Sequence, residues 1–335
     1  MPADLLNDAP TVGEMVDLLK DMRGDIEEND YINEEVVTIP GLRRLATGSS
    51  AGAAHVYVVH GIDCDAFGEG TTFATLAPLL DPCRVSALLY DAEARSDTER
   101  FDHMCTVYAN RVAVDHDHKS PVVILGYSFG CVIAHRVAAI LTHQDVENCL
   151  ILVDMEVAWP PAPTMLRVGA YEWLGGSIEA ALLVARAFGH IEWAAAEGTK
   201  LLNTSAENRD EDYYIWRAYR TVRGAETGAA ALGSLSWDDF VGIVTIAARN
   251  METMDHCARD LEPLYYEGKT LLILAPESEE FRTALEVNKR HCADIRVVDA
   301  SGTTHYNIIQ EEHAPTTAAC VMKFLRELGN QGTIG

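Results

Sequence analysis

Apolar residues along the chain follow two rhythms. Runs that are apolar at nearly every position occur at residues 55–60 (HVYVVH), 84–90, 121–125, 149–153 and 270–275 (TLLILA). Between them lie longer stretches whose apolar residues recur every three or four positions, at 71–80, 97–114, 128–141, 279–292 and 308–328. A strand apolar on both sides belongs in a sheet covered on both faces, and alternation with helices makes that sheet mostly parallel. Further strands are predicted at 35–39, 42–47 and 295–298. The fold class is α/β, with a mostly parallel central sheet.

The alternation stops after Asp154 and resumes near residue 270. Residues 155–264 read as helical throughout and hold all five tryptophans, 159, 173, 193, 216 and 237. The expected organisation is therefore an acidic N-terminal helix and linker at 1–34, a core formed by 35–154 and 265–330, and an inserted helical lid or subdomain at 155–264.

Charge narrows the choice of partners. Lys plus Arg number 26 against 51 for Asp plus Glu, a formal charge of −25, which repels phosphate backbones and anionic lipid surfaces. Neither nucleic acid nor membrane is an expected partner. Residues 1–35 alone hold 11 acids and 2 bases, unlike the basic start of a signal or transit peptide. No stretch reaches the roughly 18 apolar residues of a membrane span. The eight cysteines form no C-x-x-C pair and lie mostly in apolar runs, which suits reduced, buried thiols and a cytoplasmic setting.

Candidate chemistry centres on Gly126-Tyr127-Ser128-Phe129-Gly130. This G-x-S-x-G follows an apolar strand and opens a helix, the context of a nucleophile elbow on an α/β-hydrolase sheet. Ser128 is the expected nucleophile. A serine there needs a general base on the loop after the last strand; His305, after Val297-Val298-Asp299-Ala300-Ser301-Gly302, is the candidate, with His313 as its weaker neighbour. The third member should be a carboxylate at a strand end. Asp154 closes one strand, and Glu277 or Glu279 follows the next; general topology of the fold favours the glutamates. Backbone N–H groups of Phe129 and Ile62 are the expected oxyanion donors. Asp115-His116-Asp117-His118 alternates possible zinc ligands, but its place between a helix and a strand reads as a solvated charged loop, so no metal is expected. No phosphate loop or dinucleotide fingerprint occurs, and no cofactor is expected.

His60-Gly61-Ile62 after a strand, GYSFG after another, an aspartate closing the next strand, a long helical insert and a late G-x-x-H together resemble type I thioesterase domains of fatty acid synthases, polyketide synthases and non-ribosomal peptide synthetases. The resemblance spans about residues 36–328 and implies Asp154 as the acid beside Ser128 and His305. It departs at His60-Gly61, where many members have His-Pro, and at the longer loop 63–70. It further implies an acyl-serine intermediate, release by hydrolysis or cyclisation, and a substrate delivered on the phosphopantetheine arm of an acyl carrier protein or carrier domain. Tyr127, Trp159, Trp173, Trp216 and Trp237 would then bind the acyl chain.

An acidic carrier would be repelled by this chain unless tethered to it or met by a basic patch, of which Arg43 and Arg44 are the most visible pair. The alternatives are a free-standing carboxylic esterase or lipase, and a catalytically idle hydrolase fold used for binding.

Overall fold

The structure is a computed structural model, and it describes residues 39–50, 52–61, 71–89, 98–155, 157, 176–187, 190–202, 210–224, 236–260, 264–276, 284–310 and 312–330. The acidic segment 1–34 and most of the strand expected at 35–39 lie outside them.

Seven strands form one sheet: β1 (Leu42–Ala46), β2 (His55–Val59), β3 (Arg84–Leu88), β4 (Val122–Tyr127), β5 (Asn148–Val153), β6 (Tyr266–Leu274) and β7 (Cys292–Asp299). Their order is β1-β3-β2-β4-β5-β6-β7. Among the described strands only the β1/β3 pair is antiparallel; the others run parallel. From β2 the chain first steps to β3 on one side and then to β4 on the other. Such a reversal opens a crevice at the carboxyl ends of the two strands where it occurs, the usual ligand position in an open α/β sheet.

Alternation along each strand feeds two cores. Tyr57 and Val59 of β2 face α1 (Thr98–Asp115) and α2 (Gly130–His143), while Val56 and Val58 face two 3-10 turns and the last helix, Ala314–Asn330. Every residue of β2 is buried, which is why the sequence shows a continuous apolar run there rather than an alternating one.

The residues between β5 and β6 form α3 (Gly176–Ala187), α4 (Ile191–Leu202), α5 (Glu211–Gly224) and α6 (Trp237–Asp260). Helix α3 touches the other three, and α6 packs on α1. Phe240, Ile243 and Ala247 of α6 therefore share one core with Phe101, Met104 and Tyr108 of α1. Buried Glu197 of α4 accepts bonds from Lys200 and from Arg217 of α5, both at 2.6 Å. The remaining elements are α7 (Ala284–His291) and α8 (Ala314–Asn330).

Two elements differ from the sequence reading. Residues 71–80 form two short 3-10 turns, Thr71–Phe73 and Ala77–Leu80, and not one helix. Pro78 explains this: it fits the first turn of the second piece but would break the interior of a longer helix. The last helix begins at Ala314, with Pro315 in its first turn, whereas a start at 308 would bury that proline mid-helix. Ile308 and Ile309 are buried from a turn segment, which produces the same apolar spacing.

Cys83, Cys105, Cys131, Cys149 and Cys292 are buried and Cys320 half-buried, all free. Burial pushes the Cys83 and Cys292 thiols up to about 11 and Cys149 to about 12. Among the described residues no helix is long and apolar enough to cross a membrane.

Candidate active site

The turn after β4 is tight because both of its glycines have no room for a side chain. A Cβ on Gly126 would stand 2.3 Å from the Gly130 carbonyl oxygen, and one on Gly130 would stand 2.4 Å from the carbonyls of Val59 and His60. Between them Ser128 takes φ 55°, a left-handed conformation that a non-glycine residue adopts only when its surroundings impose it. Its amide still donates to Val153 O at 3.2 Å, so the ladder to β5 continues one bond past the strand. The hydroxyl is lifted off the sheet's carboxyl end.

Ser128 Oγ lies 3.0 Å from His305 Nε2, and His305 Nδ1 lies 3.1 Å from Asp154 Oδ2. The Nδ1 atom also meets the Asp154 carbonyl at 3.1 Å. Both of its partners can only accept, so Nδ1 carries the proton and Nε2 is left to accept from the serine hydroxyl. Asp154 is 1% exposed and His305 5% exposed. The other carboxylate oxygen, Oδ1, accepts the Ala275 N–H at 2.7 Å. Asp154 itself has φ 55°. The arrangement can take a proton from an alcohol, store it on an imidazole and hold that imidazolium beside a buried carboxylate.

His305 lies on a turn-rich loop between β7 and α8. Thr303 Oγ1 donates to Ala300 O at 2.6 Å, the Thr304 N–H to Asn307 Oδ1 at 2.7 Å, and Ile308 N to Thr304 O at 3.1 Å. Tyr127, the residue before the serine, donates its hydroxyl to His305 O at 2.8 Å. Its ring lies against the imidazole, with centroids 5.4 Å apart and planes 25° from parallel.

Phe129 stands at the N-terminal boundary of α2, where backbone N–H groups lack helical acceptors and the helix presents its positive end. Ile62, expected as the second donor, lies outside the described residues. Before it in the chain, His60 is anchored: its Nδ1–H donates to Gly61 O at 2.9 Å and its Nε2 accepts the Tyr108 hydroxyl at 2.9 Å. The sequence reading named His60-Gly61 as a motif but not this anchor to α1. Only the buried setting of both residues could have suggested it.

The other expected residues are distributed as follows. His313 sits just before α8, its amide and carbonyl engaged in the turn that starts that helix. Glu277, Glu279, Trp159 and Trp173 lie outside the described residues. Trp216 and Trp237 are 48% and 37% exposed; Arg220 lies over the first ring, and Tyr219 meets the second edge-on. Asp115 binds Tyr57 and Arg44, and Asp117 binds Arg84 and the Lys119 and Ser120 amides. These carboxylates brace the loop onto the sheet, and among the described residues no group of three or more His, Cys, Asp or Glu is placed to hold a metal. Arg44, one of the expected basic pair, is thereby committed to Asp115.

The sequence matches one family, described as Thioesterase domain, over residues 64–321. No curated protein matches it. Among solved structures, the Vlm2 thioesterase domain is similar with a TM-score of 0.56 at 15% identity, over 84% of this chain and 96% of that one. The NocB thioesterase domain from the nocardicin cluster gives 0.50 at 20% identity, over 82% and 94%. Holo-AB3403, a four-domain non-ribosomal peptide synthetase bound to AMP and glycine, gives 0.61 at 16% identity, over 96% of this chain and 22% of that one. At these identities the likeness is one of fold.

Proposed function

The chain belongs to the thioesterase domain family, and from that premise we propose that it releases an acyl, polyketide or peptidyl chain from a carrier through an ester on Ser128. The observation that carries this reading is the relay from Ser128 Oγ to His305 Nε2 at 3.0 Å and from His305 Nδ1 to Asp154 at 3.1 Å. The likeness to thioesterase domains of peptide-assembly enzymes supports a carrier-bound substrate.

In the first half-reaction Ser128 Oγ attacks the thioester carbonyl while His305 Nε2 takes the hydroxyl proton. The oxyanion forms beside the α2 N-terminus, where the Phe129 N–H, with Ile62 as second donor, would receive it. Collapse breaks the C–S bond, and the departing phosphopantetheine sulfur takes the proton from His305. In the second half, water or a nucleophile within the chain gives its proton to His305 and attacks the ester. Collapse breaks the acyl C–O bond, His305 returns the proton to Ser128 Oγ, and an acid or a cyclic product leaves. No cofactor takes part, since the pantetheine arm arrives with the substrate.

A carrier domain is the proposed macromolecular partner. With a formal charge of −25 and Arg44 held by Asp115, tethering overcomes repulsion better than a basic patch at Arg43 and Arg44. Trp216 and Trp237 are open to solvent and available to an acyl chain entering from the helical insert. The buried free thiols support a reducing, cytoplasmic setting.

Intact-mass measurement of Ser128 loading from acyl and peptidyl thioesters, beside the matched oxygen esters, tests the reading. Faster loading from thioesters supports it, and rising kcat/KM with chain length locates a chain-binding wall. Preference for oxygen esters would make the protein an esterase. Failure of a fluorophosphonate to label Ser128 would make it a binding module.

A further inference from the structure

We propose that Tyr127 is the positioning residue that sets His305 against Ser128, its hydroxyl holding the histidine's backbone and its ring supporting the imidazole. The inference rests on the serine mechanism above and deepens it.

The problem that Tyr127 solves is one of reach. Ser128 and His305 come from segments 177 residues apart. The serine is fixed by the sheet, because β4 is paired on both sides, with β2 and with β5. The histidine instead rides on a turn-rich loop whose bonds from Thr303 and Thr304 stay within the loop, and whose ties from Ala300 N to Leu274 O and from the Thr317 hydroxyl of α8 to Ile308 O do not reach β4. Tyr127 closes that gap. It is the last residue of β4 and shares a peptide bond with Ser128, so the backbone that aims the nucleophile also anchors the phenol. That phenol donates to His305 O at 2.8 Å, and the carbonyl it holds belongs to the residue whose ring must be aimed.

The two contacts constrain different motions. The hydroxyl fixes where the His305 backbone lies along the sheet edge. The ring, 5.4 Å away and 25° from parallel, limits how far the imidazole can swing out of the line between Ser128 Oγ and Asp154 Oδ2. A displacement of about 1 Å in such a relay can cost on the order of a hundredfold in rate. A tyrosine contacting only substrate would leave its hydroxyl to the ligand; here the hydroxyl is committed to His305 O.

Tyr127→Phe keeps the ring and removes the donor. The expected result is a fall in kcat of about tenfold with KM unchanged, since one neutral hydrogen bond is worth up to about that factor. Labelling of Ser128 by a small fluorophosphonate slows to match. The downfield proton resonance of His305 Nδ1–H facing Asp154 broadens. Tyr127→Leu, which also loses the stack, falls further.

Tyr266→Phe is the matched control. It deletes a hydroxyl bond of the same 2.8 Å length to a backbone carbonyl, that of Asn148, together with the contact of the same hydroxyl to Asn148 Oδ1 at 2.9 Å, and should lose stability without loss of kcat, labelling rate or resonance. Wild-type kcat and labelling in Tyr127→Phe would overturn the proposal. So would a loss confined to KM that grows with acyl length, which would make Tyr127 a substrate contact. If wild-type protein neither turns over nor labels, the mechanism above fails, and an unchanged resonance in Tyr127→Phe overturns this proposal independently.

Discussion

Ser128 and Asp154 share one backbone conformation, φ 55° at each, at the ends of the neighbouring strands β4 and β5. Each amide makes one hydrogen bond beyond its strand, to Val153 O at 3.2 Å and to Ile273 O at 2.8 Å. Two adjacent strands thus end in the same left-handed step, lifting a hydroxyl and a carboxylate toward the loop of His305. Left-handed non-glycine residues cost on the order of 1–3 kcal/mol each, so this edge of the sheet holds strain where the proposed chemistry occurs.

That strain predicts an inversion of stability and activity at the nucleophile. Ser128→Ala should be inactive and folded, forming no acyl adduct by mass. Ser128→Gly should be equally inactive yet more stable than Ser128→Ala by about 1 kcal/mol, because glycine adopts positive φ freely. Urea unfolding of the two variants measures the difference. Equal midpoints would mean the elbow is not strained, and turnover by either variant would remove Ser128 as nucleophile.

Asp154→Asn should lower kcat by about ten thousandfold, the loss seen when a triad carboxylate becomes an amide. The replacement can still accept the Ala275 N–H with its oxygen, which turns its NH₂ toward His305 Nδ1. In the tautomer where Nδ1 accepts from that NH₂ rather than donating to the Asp154 carbonyl at 3.1 Å, Nε2 is protonated and the serine loses its base. His305→Ala should be comparably inactive, whereas His313→Ala, Glu277→Gln and Glu279→Gln should stay near wild type. Steady-state kinetics decides; an active Asp154→Asn with a dead glutamate variant would move the acid to the end of β6.

Gly130→Ala should damage stability and activity together. Its new methyl would stand 2.4 Å from two carbonyl oxygens at the end of β2, pushing Val59 and His60 away from the elbow. Overpacking of this kind costs about 1–3 kcal/mol. Activity should fall beyond what stability explains, because His60 begins the segment carrying Ile62. Thermal melting and kcat on the same preparation separate the two effects, and a wild-type kcat would show that this approach does not position the oxyanion side.

Acid should destabilise the fold through two buried histidines. Burial pushes His135 down to about 4, against a weaker opposing bond to the His291 carbonyl. Burial, with help from Arg44 and Arg84, pushes His55 down to about 2. Unfolded, both protonate near their ordinary value of about 6.5. The folded state therefore binds fewer protons below that value. Its stability is complete above pH 6.5 and is lost as pH falls, toward 4 for His135 and toward 2 for His55, at about 1.4 kcal/mol per histidine per pH unit. Urea midpoints between pH 7.5 and 5 should fall, and His135→Gln should flatten the slope. A level profile would refute this.

The parts of this architecture visible in the sequence are those with a repeating or crowded cause. The strands β2, β4 and β5 could be read because burial on both faces leaves almost no polar position. Ser128 was legible because Gly126 and Gly130 are forced by backbone approaches. Asp154 was not separable from Glu277 and Glu279 by spacing alone; family resemblance singled it out, and its left-handed step leaves no mark in composition. The start of α8 was misplaced because buried turn residues Ile308 and Ile309 imitate a helical stripe. The bond from Tyr127 to His305 spans 178 positions and depends on a loop path that no local pattern encodes.

The packing of α6 on α1 bears on how relatives of this chain could exchange parts. Phe240, Ile243 and Ala247 meet Phe101, Met104 and Tyr108 within one core, and Tyr108 also holds His60. A transplanted set of insert helices would arrive without its complementary α1 surface, and the misfit would reach the β2 end through Tyr108. Chimeras that carry α1 along with the insert should retain folding and turnover, whereas those cut at the ends of β5 and β6 should lose both.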